Sequence, residues 1–156
     1  MSTAIYYMTV RFSSEAEAEE AQPKIDGFLH SMTDAEGWWQ SHRHEDGFEE
    51  EFRRQFSDVM SILDIPPAPP ETNAGVTRVD ASNWYAGKLC SPYTDDRSGD
   101  CFVDGTTVKI RGEVWHFADW NPLSNAMVET FGARNAGWVS DEYYTPDYFE
   151  LAWENA

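Results

Sequence analysis

Apolar and polar positions alternate through residues 4–12, with Tyr6, Met8, Val10 and Phe12 on one side. That is the period of a half-buried strand. The period then lengthens to that of a helix. Ser14-Glu15-Ala16-Glu17 has a reciprocal capping pattern, and Ala18, Ala21, Ile25, Phe28, Leu29 and Met32 form the inward face of a helix predicted over 14–32. Pro23 is expected to kink or restart it. Thr33 to Glu36 repeats the cap before Gly37-Trp38-Trp39, read as a short helix or turn. Phe48, Phe52, Phe56, Val59, Met60 and Leu63 recur at spacings of three and four, which predicts a helix over 46–64 with Asp46 at its cap. Its first turn carries Glu49, Glu50 and Glu51, where negative charge favours the helix, and Arg53 and Arg54 follow within pairing reach.

Ile65-Pro66-Pro67-Ala68-Pro69-Pro70 ends that helix, since proline supplies no donor and biases its predecessor away from helical angles. Neither side holds a convincing core alone, so residues 66–75 read as an internal crossover within a single domain spanning 1–156. Residues 76–80 and 84–89 read as short strands, and 91–100 as an exposed loop. Asp104-Gly105 marks a tight hairpin leading into residues 107–117, where Val108 and Ile110 oppose Lys109 and Arg111. Gly112 interrupts the alternation and reads as a bulge that shifts the face before Val114, Trp115 and Phe117. Asn121-Pro122 opens a helix over 122–134, with Asn121 as the cap. Residues 138–144 read as a return strand, Thr145-Pro146-Asp147 as a turn, and Phe149, Leu151 and Trp153 as one face of a last strand. The fold class is therefore α+β, an antiparallel sheet with helices on one face.

The run His116-Phe117-Ala118-Asp119-Trp120-Asn121-Pro122-Leu123, a short helix and the aromatic-acidic segment 138–144 together resemble the C-terminal half of a phage-encoded ferredoxin-like family of unknown function. The resemblance covers residues 106–153. It implies a ferredoxin-like arrangement in the C-terminal half and a viral origin. It transfers no catalytic residue, and the family's N-terminal half is not recognisable here.

Charge narrows the choice of partner. Twenty-eight acidic residues against eleven basic ones give a net charge of −17, and the only lysines are Lys24, Lys88 and Lys109. Direct contact with nucleic-acid phosphates or an anionic membrane is disfavoured, because both are bound through Lys and Arg. Cationic partners are favoured. Glu15, Glu19 and Asp26 fall on one helical face one turn or so apart, with Glu20 beside them, and their mutual repulsion is a cost that a cationic partner would relieve. Hydration in high salt explains the same acidity without a partner. With no run of about 18 apolar residues and no basic-then-apolar N-terminus, a soluble protein of the cytoplasm is expected, the host's cytoplasm if viral. Cys90 and Cys101 fit two reduced thiols there better than a disulfide across a hairpin.

Candidate chemistry is sparse. His42-Arg43-His44 places two imidazoles on one side of an extended segment but lacks a third ligand, so no metal site is assigned. Glu113, His116 and Asp119 are too few and too ordinary for a general-base site, and Asp95, Asp96, Asp100 and Asp104 match a calcium loop only in composition. No phosphate loop, dinucleotide fingerprint or nucleophile elbow occurs, so neither an enzyme nor a cofactor is expected. The leading expectation is a non-enzymatic acidic inhibitor that mimics nucleic acid and binds a basic nucleic-acid-handling protein, such as a phage protein that blocks a host CRISPR nuclease complex. Its acidic face would be Glu15, Glu19, Glu20, Asp26, Glu49, Glu50, Glu51, Asp141 and Glu142, with Trp38 and Trp39 as aromatic anchors. The alternative is a carbohydrate or protein interaction module using Trp38, Trp39, Trp84 and Tyr85 as platforms.

Overall fold

The centre of the fold is β1 (Thr3–Arg11), and its composition shows why. Tyr6, Met8 and Val10 are buried on one face, as the alternation predicts, but Tyr7 and Thr9 on the other face are buried as well. A strand apolar on both sides must have cover on both sides. In the computed structural model, which describes residues 3–67, 84–93, 99–141 and 148–154, β1 lies inside a four-stranded antiparallel sheet. The other strands are β2 (Asp100–Asp104), β3 (Thr107–Trp115) and β4 (Asn135–Asp141), in the spatial order β2-β3-β1-β4.

The first face carries the main core. One helix, α1 (Glu15–His42), lies across it, followed by α2 (Phe48–Gln55) and α3 (Ser57–Ile62); α4 (Asn121–Glu129) joins the same layer later in the chain. The Ser14 cap forms as expected: its hydroxyl accepts from the amide of Glu17 at 3.2 Å, and Glu17 accepts from the amide of Ser13. The helix neither restarts at Pro23 nor ends before Thr33. Pro23 is exposed, and the Thr33 hydroxyl, instead of capping a new helix, donates within the layer, close to the carbonyl oxygens of Leu29 and Tyr93. The predicted 46–64 helix is divided at Phe56, whose φ of −115° and ψ of 34° leave the helical region. Its N-cap is Gly47, at φ +74°, in place of Asp46.

Further expectations change with the tertiary structure. β3 is regular, without a bulge: Tyr6 pairs with Gly112 in unbroken register from Thr3↔Trp115 to Arg11↔Thr107. Gly112 serves a close approach, because a Cβ there would lie 2.5 Å from the Cα of Pro92. Residues 91 and 92 are correspondingly buried, so the segment predicted as an exposed loop begins inside the protein. Residues 84–88 form a helical turn in place of a strand, with the amide of Leu89 bonded to the Tyr85 carbonyl at 3.1 Å. Asn121 does not cap α4; its side-chain oxygen accepts from the Trp138 indole at 2.9 Å. The hairpin at Asp104-Gly105 is present, with Gly105 at φ +62°.

The largest correction concerns the C-terminus. Residues 148–153 are helical, in α5 (Tyr148–Glu154), and pack on the opposite face of the sheet from α1. Phe149 and Ala152, spaced as a helix face, close over Tyr7, whose ring meets Phe149 edge-on at 5.1 Å. The Thr9 hydroxyl donates to the Phe149 carbonyl at 2.8 Å. Helices therefore cover both faces, not one. Residues 76–80, 94–98, 142–147 and the prolines beyond 67 lie outside the described residues, as does Glu142.

Candidate functional site

At the end of β3 the chain turns sharply through Trp115-His116-Phe117-Ala118, with the Ala118 amide bonded to the Trp115 carbonyl at 2.9 Å. Three donors hold this turn. The Tyr6 hydroxyl is 2.6 Å from the carbonyl oxygen of Ala118 and 3.2 Å from that of His116. Burial, with smaller contributions from Cys90 and Asp119, raises the Tyr6 phenol above its ordinary value, so it remains protonated and able to donate. The amide of Asp119 donates to the Gly87 carbonyl at 2.9 Å, and the Trp120 indole donates to the Cys90 carbonyl at 2.9 Å. Tyr6 itself is stacked on Trp138 and meets Trp120 edge-on, each at 5.2 Å.

On this fixed base the turn presents aromatic surface. Phe117 is 44% exposed, one of four large hydrophobic residues so placed among those described. Its ring is parallel to that of Trp115, with centroids 6.3 Å apart, and His116 meets it edge-on at 5.6 Å. Gly87 approaches Phe117 so closely that a Cβ would sit 3.3 Å from its carbonyl oxygen. Trp84 and Lys88 lie one turn apart on the helical side that includes Gly87, with the Lys88 ammonium 4.0 Å from the centre of the Trp84 ring. The arrangement is an exposed aromatic knob with a cation beside it. Exposed aromatic side chains of this kind serve as anchors at protein interfaces.

The residues predicted as a site are dispersed. Glu15, Glu19 and Glu20 are exposed near the start of α1, and Glu20 pairs with Lys24 at 3.8 Å. Asp26 accepts from the Tyr93 hydroxyl and lies 3.7 Å from His30. Glu49 accepts from Tyr85 at 3.0 Å, Glu50 is exposed, and Glu51 pairs with Arg54. Glu20 and the α2 carboxylates flank opposite ends of a helix about 42 Å long at 1.5 Å per residue, so they do not meet. Asp141 lies in β4. Trp39 is buried, at 3% exposure, and Trp38 is half-buried, with its ring stacked on His42 at 4.2 Å. Tyr85 is fully buried. Of the four predicted platform aromatics, Trp84 is the one beside the knob.

Among the described residues, the remaining chemical candidates form no metal cluster. His42 is the last residue of α1, its Nδ1 2.8 Å from the Trp38 carbonyl oxygen, while His44 is exposed. Among the described residues no group of three His, Cys, Asp or Glu side chains is placed to hold a metal. Glu113 accepts from Thr3, and Asp119 accepts from the amide of Asn121. Asp100 pairs with Arg111 and Asp104 with Lys109.

Sequence reasoning missed the Trp115–Phe117 knob because the supposed bulge at Gly112 disguised its parity. Without a bulge, Trp115 falls with Lys109, Arg111 and Glu113, outside the buried row of Val108, Ile110 and Val114. Counting by twos from Val108 would have found it. No helix among the described residues is long and apolar enough to cross a membrane. No protein-family model, curated protein or solved structure matches this chain.

Proposed function

We propose that this protein is an interaction module that engages a protein partner through the aromatic turn at Trp115, His116 and Phe117, with Trp84 and Lys88 at its margin. The observation that carries the reading is the exposure of Phe117 on a turn held by a buried hydroxyl. A rigid aromatic side chain already in its bound geometry loses little entropy on docking, and such anchors dominate interface energetics. The two free cysteines support a reducing compartment such as the cytoplasm. With α2, α3 and the C-terminal α5 set aside as additions, the order β1-α1-β2-β3-α4-β4, with β1 and β3 central, supports a ferredoxin-like reading of the sheet.

The competing reading, an acidic inhibitor that replaces nucleic acid on a basic protein such as a CRISPR nuclease, rests on the net charge of −17. Geometry favours it less, since several carboxylates are engaged by the protein's own Lys24, Arg54, Tyr85 and Tyr93. Capture from host extract, comparing the wild-type protein with Phe117→Ala, separates the two. The aromatic reading expects a partner retained from roughly 0.05 to 0.5 M salt and lost, by about tenfold or more, on the substitution. A partner stripped by salt and indifferent to Phe117→Ala overturns it.

A further inference from the structure

The far end of the sheet from the aromatic turn holds a cleft. β1 runs from Thr3, opposite Trp115, to Arg11, after which Phe12 enters the space between the first turns of α1 and the end of α4. The cleft has a volume of about 310 Å³. Its floor is apolar, from Phe12, Ala21 and the half-buried Phe131, and its rim carries Glu17, Glu20 and Lys24.

Carboxylates outnumber cations in its lining. The rim holds two carboxylates against one ammonium, and Lys24 reaches Glu20 only at 3.8 Å with both side chains largely in water. Opposite them, the lining residues Thr130, Phe131 and Gly132 follow the last turn of α4, where the helix dipole is negative. A cation is favoured over an anion here, and a flat one over a compact one. Guanidinium can lie on the Phe131 ring while donating in parallel to a carboxylate, whereas an ammonium cannot do both. The space is at the lower end of the roughly 300–1,000 Å³ typical of ligand pockets and is open on one side, which suits a single long side chain.

We propose that this cleft receives an arginine side chain offered by a protein partner, its stem over Phe12 and Ala21, its guanidinium over Phe131 and paired with Glu20. The site is separate from the aromatic turn and does not depend on it. Here exposed carboxylates of α1 border an apolar recess, so an arginine gains contact with Phe12 and Phe131 together with charge pairing.

The probe is N-acetyl-arginine methylamide, titrated into the isotopically labelled full chain and followed by amide chemical shifts, with the citrulline analogue as the neutral control of similar shape. Saturating shifts are expected at Ala21, Lys24, Phe131 and Gly132, with weaker or no response to citrulline. Glu20→Gln should weaken binding about two- to fivefold, and Lys24→Gln, which removes the competing ammonium, should tighten it by a similar factor. Both positions are exposed, so the fold survives either change. Glu50→Gln, an equal change of charge at an exposed site on α2, should leave affinity unaltered. Equal binding of citrulline, equal weakening by Glu50→Gln, or shifts absent from the cleft would each overturn the assignment. None of these outcomes bears on Phe117, so the two proposals fail separately.

Discussion

The hydroxyl of Tyr6 lies 2.6 Å from the carbonyl oxygen of Ala118, and through that contact the middle strand of the sheet governs the shape of the exposed turn beside it. Replacing Tyr6 by Phe keeps the rings of Trp120 and Trp138 in contact but leaves a buried carbonyl without its donor. The expected cost is about 1–3 kcal/mol. Denaturant midpoints measure the loss, and amide exchange locates it: exchange at Ala118 should accelerate more than exchange in β1. Equal protection in both variants would mean the turn holds its shape unaided.

Gly112→Ala should destabilise the protein by about 1–3 kcal/mol, because its methyl group would meet Pro92 backbone at 2.5 Å and either β3 or the buried residues 91 and 92 must shift. Gly27→Ala is the matched control, on an exposed helical position with nothing within 4 Å, and should be neutral or stabilising. Thermal unfolding of the pair distinguishes close approach from the general effect of losing a glycine.

Both thiols should resist modification in the native protein at pH 8. Burial raises Cys90 to about 12, with Glu36 adding to the shift, and raises Cys101 to about 11, with Asp26 adding to it. A thiol-exchange reagent should therefore find no fast-reacting group until denaturant exposes two. The linkage runs toward alkali. Folded values above the ordinary 9.0 mean that the protonated thiols contribute stability fully below about pH 9, and that this contribution is lost as pH rises toward 11 and 12. Cys90→Ala should flatten that alkaline decline.

Glu51 should titrate well below the ordinary carboxylate range. The hydrogen bond from Arg54, then that from Gln55, lower its carboxyl from 4.5 to about 2. A depressed folded value means the pairing supports α2 above about pH 4.5 and is lost as pH falls toward 2. Carboxyl carbon shifts measure the midpoint, and Arg54→Ala should raise it, with the remaining Gln55 hydrogen bond keeping it below 4.5.

Periodicity located β1, the α1 face from Ala18 to Met32 and the core of α4, and cap and turn residues located the Ser14 cap and the Gly105 hairpin, while the end of α1 and the cap of α4 had no unambiguous local signal. Residues 148–153 are too short to choose by themselves. Phe149, Leu151 and Trp153 satisfy a strand, and Tyr148, Phe149 and Ala152 satisfy a helix. The uncovered side of β1 decides, because Tyr7 and Thr9 require a lid that both buries an aromatic ring and supplies a carbonyl acceptor. Acidity was visible in the composition, but its distribution was not, because carboxylates close in sequence point to different partners in space: Glu49 to Tyr85, Glu51 to Arg54. The regular register of β3 depends on Pro92, twenty positions earlier, filling the space that a side chain at residue 112 would have occupied. Local spacing specifies which residues share a face; only long-range packing determines what that face meets and which aromatic residues it leaves in water.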